Sequence, residues 1–104
     1  MGKRVEATIT GADQFSDWYQ FRPDNVGDPE RAALRIGDGS AWSATIVVQT
    51  KDPDEDAADA ADVESYSAEV RKTLEFYEDV DVRVGVPSGG TFGSGSIPVR
   101  ISNY

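Results

Sequence analysis

The sequence contains neither cysteine nor histidine. Without cysteine the chain can form no disulfide and no thiolate metal site, so packed strands, a bound ion or neighbouring subunits must stabilise it. Without either residue it lacks the usual base that titrates near neutrality and the most readily activated nucleophile. We therefore predict a protein that is not an enzyme, with no catalytic residues and no cofactor.

Long apolar runs are also missing. Hydrophobic residues make up 38% of the chain, and no run approaches the ~20 residues that a membrane-spanning helix needs. The N-terminal residues 1–8 include two basic residues but no apolar segment of the kind that directs export. We expect a soluble protein that has no export signal and does not bind membranes.

Basic residues are outnumbered, because 19 acidic residues face 10 basic ones and the formal net charge is −9. An evenly spread negative charge repels nucleic-acid phosphates and anionic lipids. The composition therefore predicts no nucleic-acid partner and favours solubility.

The length of 104 residues fits one domain over residues 1–104. Three stretches alternate apolar and polar residues with the period of two that is typical of half-buried strands: Trp42–Thr50, Val80–Val86 and Ile97–Ser102. Pro98 removes one backbone donor, which suits an edge strand or the first residues of a strand. The residues predicted to face the core are Trp42, Ile46, Val48, Val82, Val84, Ile97, Val99 and Ile101.

Weaker alternation predicts four shorter strands, over Val5–Ile9, Trp18–Phe21, Leu34–Ile36 and Leu74–Tyr77. Segments rich in glycine, proline, aspartate and asparagine separate them and are typical of turns. About seven to eight short strands with frequent turns indicate an all-β fold. We predict a single antiparallel β-sandwich, either immunoglobulin-like or jelly-roll-like, with one acidic loop.

That acidic loop is the segment Asp52–Asp62, which contains only acids, alanines and one proline. We interpret it as an exposed connection between strands, with one or two helical turns between Glu55 and Asp62. The spacing of Asp52, Asp54 and Asp56 is that of the first three oxygen ligands in many calcium loops. Alanine and valine occupy the positions where such loops need a glycine and a closing acid, so these three residues are only candidate calcium ligands, and we favour a solvated loop.

Aromatic residues could form a platform on which sugar rings stack. Trp42 belongs on the inward face of its strand and is assigned to the core. Trp18 and Tyr19 are the candidate glycan contacts. A glycan-binding β-sandwich module is therefore an alternative function.

Four ordered segments of this chain resemble small virion proteins of tailed bacteriophages. They are Trp42–Gln49 (Trp-Ser-Ala-Thr-Ile-Val-Val-Gln), Val63–Ala68 (Val-Glu-Ser-Tyr-Ser-Ala), Val82–Val86 (Arg-Val-Gly-Val after the first valine) and Phe92–Ser96 (Phe-Gly-Ser-Gly-Ser). The opening Ala7–Trp18 also looks like the first hairpin of that group. The acidic loop departs from the pattern, since relatives often have a short glycine-rich turn at this point.

The resemblance implies a non-enzymatic structural component of a phage virion with a β-sandwich fold. We expect a capsid-decorating or spike-base protein that lies in the virion and binds other virion proteins, such as the major capsid protein, through strand edges and apolar surface. A neck or tail accessory protein is the alternative position. Homo-oligomers, with a trimer as the expected form, would use unblocked edges such as that of the C-terminal strand.

Overall fold

The computed structural model describes residues 3–23 and 27–103. These residues form strands of very different lengths and one short 3-10 turn. The strands are β1 Arg4–Ile9, β2 Gln14–Phe15, β3 Tyr19–Phe21, β4 Glu30–Ile36, β5 Ser43–Ala44, β6 Ile46–Lys51, β7 Ala61–Tyr66, β8 Val70–Phe76, β9 Val80–Val86, β10 Phe92–Ser94 and β11 Ile97–Ser102. The 3-10 turn is Ala57–Asp59.

The strands form two antiparallel sheets, with a separate two-stranded ribbon of β5 and β10. Sheet 1 has the order β1-β11-β4-β8. Sheet 2 has the order β2-β9-β6-β7, and β3 also pairs with β9. β2 and β3 are two parts of one interrupted strand, because they pair with opposite ends of β9. Between them the Ser16 N–H donates to the Val84 carbonyl at 2.9 Å.

The pairing of the strands is nested. The outermost pair is β1 with β11, followed by β2 and β3 with β9, then β4 with β8, and finally β6 with β7 at the centre. A chain folded back on itself in this way and rolled into two four-stranded sheets is a jelly roll. The predicted antiparallel sandwich is confirmed, and the strand order selects the jelly-roll alternative over the immunoglobulin-like one.

Six of the seven predicted strands correspond to strands of six or seven residues, and the seventh, predicted over Trp18–Phe21, is the three-residue β3. β7 was not predicted, and neither were β2 and β10, whose two or three residues are too few for alternation to be recognised in the sequence. The strand predicted over 42–50 is divided at Thr45, whose N–H donates to the Thr91 carbonyl at 2.9 Å. Its first part therefore belongs to the ribbon with β10, and its second part, β6, belongs to sheet 2.

The core lies between the two sheets, and every long strand except β7 contributes at least one buried apolar side chain to it, while Tyr66 of β7 packs against its margin. Seven of the residues that we expected there are buried: Ile46, Val48, Val82, Val84, Ile97, Val99 and Ile101. Trp42 is only half-buried and packs against the core from its margin. Tyr19 and Phe21 are fully buried core residues, with their ring centroids 4.6 Å apart.

Of the two positions that Pro98 suited, the structure shows the first residues of a strand and not an edge strand. β11 lies inside sheet 1, with β1 on one side and β4 on the other. Pro98 is its second residue, and the pairing with β4 begins only at Val99, so its missing N–H interrupts no pair in that ladder. Because both edges of β11 are occupied, the C-terminal strand is not the edge that could pair with a neighbouring subunit; Tyr104 itself lies outside the described residues.

Candidate binding site

A sandwich of two open sheets has four strand edges, and unpaired backbone groups at such edges are templates for another strand. Here β7 and β8 form the edges on one side of the molecule, while β1 and the β2–β3 pair form those on the other side. Assembly through strand edges depends on which of these four edges is regular and accessible.

The side formed by β7 and β8 carries inward-pointing charges. Glu64 is paired with Val48 and Lys72 with Leu34, so both side chains lie at core-facing positions of their sheets. Lys72 Nζ is 2.8 Å from Glu64 Oε2 and 3.2 Å from the Tyr66 hydroxyl. The hydrogen bond from Lys72 is the main reason that the pKa of Glu64 lies below its ordinary value. Inward charges of this kind protect sheet edges against strand addition.

A β-bulge further distorts the β7 edge. Successive residues of β6, Val48 and Gln49, are paired with Glu64 and Asp62, so Val63 is an extra residue in β7. Its side chain is 51% exposed. A bulge bends the strand and increases its local twist, which makes the edge a poor template.

The edge formed by β2 and β3 is interrupted at Ser16. The Ser16 hydroxyl accepts a hydrogen bond from the Val84 N–H at 3.2 Å, in place of a backbone carbonyl. Beside this point the backbone of β2 lies close to Gly85, where a Cβ atom would come within 2.1 Å of the Gln14 carbonyl oxygen. The edge is therefore two short pieces joined by irregular backbone.

The β1 edge is different, because β1 pairs with β11 over six successive residues without a bulge. The Asn103 N–H donates to the Lys3 carbonyl, and hydrogen-bonded pairs alternate along antiparallel strands. The backbone groups of Glu6 and Thr8 consequently point away from β11, and among residues 3–23 and 27–103 no strand pairs with them. The β8 edge is also regular, since β8 pairs with β4 over seven successive residues, but it carries the inward Lys72. The core-facing residues of β1 are Val5, Ala7 and Ile9, so β1 is the regular edge without an inward charge.

A shallow groove lies beside the first half of β1. It is lined by Lys3, Arg4, Val5, Trp18, Tyr19 and Gln20. A segment that added to β1 would therefore pass next to the half-buried Trp18.

Tyr19 contributes little surface to this groove, because it is only 1% exposed. Its hydroxyl is 3.3 Å from Glu30 Oε2, and Lys3 Nζ lies 5.0 Å from its ring centroid. Burial, together with the charge of Glu30, raises the pKa of Tyr19 to about 12. The ring is thus a core group, and the sequence-based assignment of Tyr19 as a glycan contact is wrong.

Cations hold Trp18 in place on the outer face of sheet 2. The Arg83 guanidinium carbon lies 4.5 Å from the Trp18 ring centroid and 3.9 Å from that of Phe15. Lys51 Nζ is 5.1 Å from the Trp18 centroid. Arg83 Nε also donates to Gln49 Oε1 at 2.9 Å. These cation–π contacts, each within the usual limit of ~6 Å, orient the indole towards the groove margin.

Lys51 is itself fixed by a buried carboxylate. Asp81 is 4% exposed although its side chain is on the outer face of sheet 2. Its two oxygens contact Arg22 at 2.7 Å and Lys51 at 3.0 Å. Burial alone would raise the pKa of Asp81, but the hydrogen bonds and charges of Arg22 and Lys51 outweigh it and lower the pKa below its ordinary value.

The acidic loop forms no metal site in this structure. Asp52, Asp54 and Asp56 are exposed, and among the described residues no three acidic side chains are grouped closely enough to hold a metal ion. Instead the Asp52 N–H donates to Glu55 Oε1 at 2.7 Å, and the Glu55 N–H donates to the Asp52 carbonyl at 3.0 Å. The predicted calcium ligands therefore belong to a loop that closes on itself.

The helix expected between Glu55 and Asp62 is reduced to the single 3-10 turn. The loop is also shorter than predicted, because β7 begins at Ala61. Asp62 is part of that strand and accepts a hydrogen bond from Gln49 Nε2 at 2.8 Å.

The chain matches no protein-family model, no curated protein and no solved structure. No helix in the part of the chain that the structure describes has the length and apolar character to cross a membrane. Sequence reasoning singled out Trp18 but missed the β1 edge beside it, and it missed Arg83 and Lys51 as partners of the indole. Only the pairing of β6 and β9 brings those two cations together, so no local sequence signal could have found them.

Proposed function

We propose that this protein is a non-enzymatic structural component of a bacteriophage virion, of the capsid-decorating or spike-base type. In this proposal an extended segment of another virion protein adds to the β1 edge and contacts Trp18. The observation that carries it is the contrast among the four edges: β1 is regular and accessible, whereas the other three are bulged, interrupted or occupied by inward charges.

Strand addition suits this edge for a physical reason. Main-chain hydrogen bonds supply affinity, while pockets beside the strand select the side chains of the incoming segment. The groove places Trp18 where it would be covered on binding, and tryptophans buried in this way are among the commonest hot spots of protein interfaces. A segment that binds only the folded domain also stabilises it by mass action.

The jelly-roll topology supports the same proposal, because this architecture recurs in viral capsid domains. It also recurs in lectins, and a fold alone does not determine a function. The resemblance to phage virion proteins and the accessible edge together favour assembly.

The experiment replaces one outward-facing backbone donor. Glu6→Pro removes the N–H that points away from β11, so it blocks strand addition and leaves the pairing of β1 with β11 intact. Glu6→Ala is the matched control, since it loses the same side chain and keeps the N–H. Each protein is mixed with purified phage particles that lack it, and the particles are sedimented.

We expect the wild type and Glu6→Ala to sediment with the particles and Glu6→Pro to remain in the supernatant. Thermal melting in the absence of particles checks that all three proteins are folded. A wild type that never sediments with particles would overturn the virion proposal. Equal binding of Glu6→Pro would reject β1 as the docking edge.

Glycan binding is a second candidate, favoured by the half-buried Trp18 with Arg83 and Lys51 around it. Titration of tryptophan fluorescence with a panel of oligosaccharides tests it. Trp18→Phe separates the Trp18 signal from that of Trp42. A saturable change in the wild type that is lost in Trp18→Phe supports glycan binding, and an unchanged spectrum rejects it.

A further inference from the structure

Three arginines form a row on the outer face of sheet 1. Arg100 on β11 is paired with Arg35 on β4, and Arg35 is paired with Arg71 on β8. Neighbouring strands are ~4.8 Å apart, so this arginine row crosses the sheet over about 10 Å. In the sequence the three residues are far apart, and only the strand order brings them together.

The arginines of the row form no ion pair, unlike other arginines on the same face. Arg4 contacts Glu6 at 2.7 Å and Arg31 contacts Glu75 at 2.6 Å. Within residues 3–23 and 27–103, by contrast, the side chains of the row form no ion pair and no hydrogen bond.

Two acids flank the row. Glu6 on β1 is paired with Arg100, but its carboxylate contacts Arg4 at 2.7 Å. Asp38 acts on Arg35 electrostatically and is engaged by the Ser40 N–H at 3.0 Å. Like charges directly opposite one another on a sheet are destabilising. A row of three with no acid between them therefore indicates a surface that is neutralised by an external anion.

A dense group of acids lies at one end of the same molecule. The β6–β7 loop, residues 52–60, and the β8–β9 loop, residues 77–79, meet there, since Asp52 and residues 77–79 line one pocket. We call these two loops the acidic tip. They contain no basic residue and seven acidic ones: Asp52, Asp54, Glu55, Asp56, Asp59, Glu78 and Asp79. Residues 52–59 are all exposed.

We propose that the arginine row of one copy docks the acidic tip of a second copy. Arginine forks bind carboxylates through paired, charge-assisted hydrogen bonds, which the exposed acids of the tip can accept. Because the two surfaces are different, the contact is heterologous and generates rings or open chains rather than a closed two-fold dimer.

The charge distribution favours a second copy over a free polyanion. Of the net charge of −9, the tip accounts for −7, which leaves −2 for the rest of the chain. The acidic tip of a second copy can therefore reach the arginine row over an almost neutral body. A long polyanion bound along the molecule would also lie near that molecule's own acidic tip, which repels it. This inference rests on the proposed assembly function and names one of its contacts.

The test is a charge swap between the two surfaces. The face variant carries Arg35→Glu and Arg71→Glu, and the tip variant carries Asp54→Lys and Asp56→Lys. Sedimentation velocity measures association of each protein over a range of concentrations in low salt and in high salt. We expect the wild type to associate at low salt and to dissociate at high salt, because added salt screens the charges.

We expect each variant alone to associate more weakly than the wild type, because the substitutions change the charge of the row from +3 to −1 or that of the tip from −7 to −3. In an equimolar mixture the unchanged tip of the face variant meets the intact row of the tip variant, which restores the wild-type contact between unlike molecules. Association should therefore return in the mixture. A control with Asp17→Lys and Asp28→Lys makes the same charge change as the tip variant, but at exposed residues outside the tip. This control should associate like the wild type.

Melting curves establish that all variants are folded. A wild type that is monomeric at every concentration, variants that associate unchanged, or a mixture of folded variants that stays monomeric would each overturn the inference. If the protein binds phage particles while any of these results holds, only the docking inference fails. If the charge swap succeeds and no particle is bound, only the virion proposal fails.

Discussion

Asp81→Asn is the substitution whose effect on stability can be worked out most directly. The Asp81 side chain is 6% exposed and lies between Arg22 and Lys51. Asparagine keeps the size of the side chain but removes its charge. Lys51, whose side chain is only 10% exposed, would then be a nearly buried cation without a carboxylate.

The expected loss follows from the exposure of the two cations. Removing one partner of a buried ion pair typically costs about 3–5 kcal/mol. The Arg22 side chain is 33% exposed and can regain water, so we expect the lower end, about 3 kcal/mol. With a urea m-value of ~1.5 kcal/mol/M for a domain of this size, the unfolding midpoint should fall by about 2 M.

The dependence on pH gives a second readout. The folded state holds the pKa of Asp81 below its ordinary value, so the carboxylate stabilises the fold fully above the unfolded pKa of ~3.9. That contribution is lost as the pH falls below this value and through the folded pKa. The difference in unfolding free energy between the wild type and Asp81→Asn should therefore be constant near neutrality and shrink below about pH 4.

Glu75→Gln is the matched control, because it makes the same chemical change in an exposed ion pair. The side chains of Glu75 and Arg31 are 37% and 61% exposed, and such pairs contribute about 0–1 kcal/mol. Equilibrium urea unfolding at several pH values compares the two variants. A loss below about 1 kcal/mol for Asp81→Asn, or a difference that persists unchanged in acid, would refute this account of the buried network.

Two further substitutions test packing and titration. A Cβ at Gly85 would come within 2.1 Å of the Gln14 carbonyl oxygen. Gly85→Ala should therefore lower the unfolding free energy measured in urea by at least about 2 kcal/mol. The control is Gly11→Ala, whose added Cβ meets nothing closer than 3.6 Å and should change the unfolding free energy by less than about 0.5 kcal/mol. The pKa of Tyr19 is raised to about 12, so the neutral Tyr19 hydroxyl stabilises the fold fully below the unfolded pKa of ~10, and this contribution is lost as the pH rises through the folded pKa. Tyr19→Phe should therefore remove this part of the destabilisation at alkaline pH. Identical alkaline melting curves for the wild type and Tyr19→Phe would contradict the assignment.

The parts of the fold that were predictable are the strands that place apolar residues on the core face and mostly polar residues on the other face. Val80–Val86 and Ile97–Ser102 alternate for this reason, and both are strands in the structure. β7 escaped detection because it is an edge strand with a bulge. It has little apolar surface to bury, and the extra residue Val63 shifts the alternation by one position.

The candidate site was less predictable because it depends on contacts between distant strands. Trp18 and Tyr19 are neighbours and looked equivalent in the sequence, but one borders a groove and the other is buried. Successive residues of a strand point to opposite faces, so at most one of the two could have belonged to a binding surface. Which one it was depended on the pairing of Tyr19 with the core residue Val82.

The charge of the chain illustrates the same limit in a different way. A net charge of −9 predicts repulsion from anions only if the acids are spread evenly, and here most of the excess is confined to the acidic tip. Arg35, Arg71 and Arg100 occupy similar outward positions on three strands that are separated in the chain and adjacent in sheet 1. The jelly-roll order is what converts them into a continuous cationic surface, so the net charge sets the long-range repulsion while the topology decides where an anion can bind.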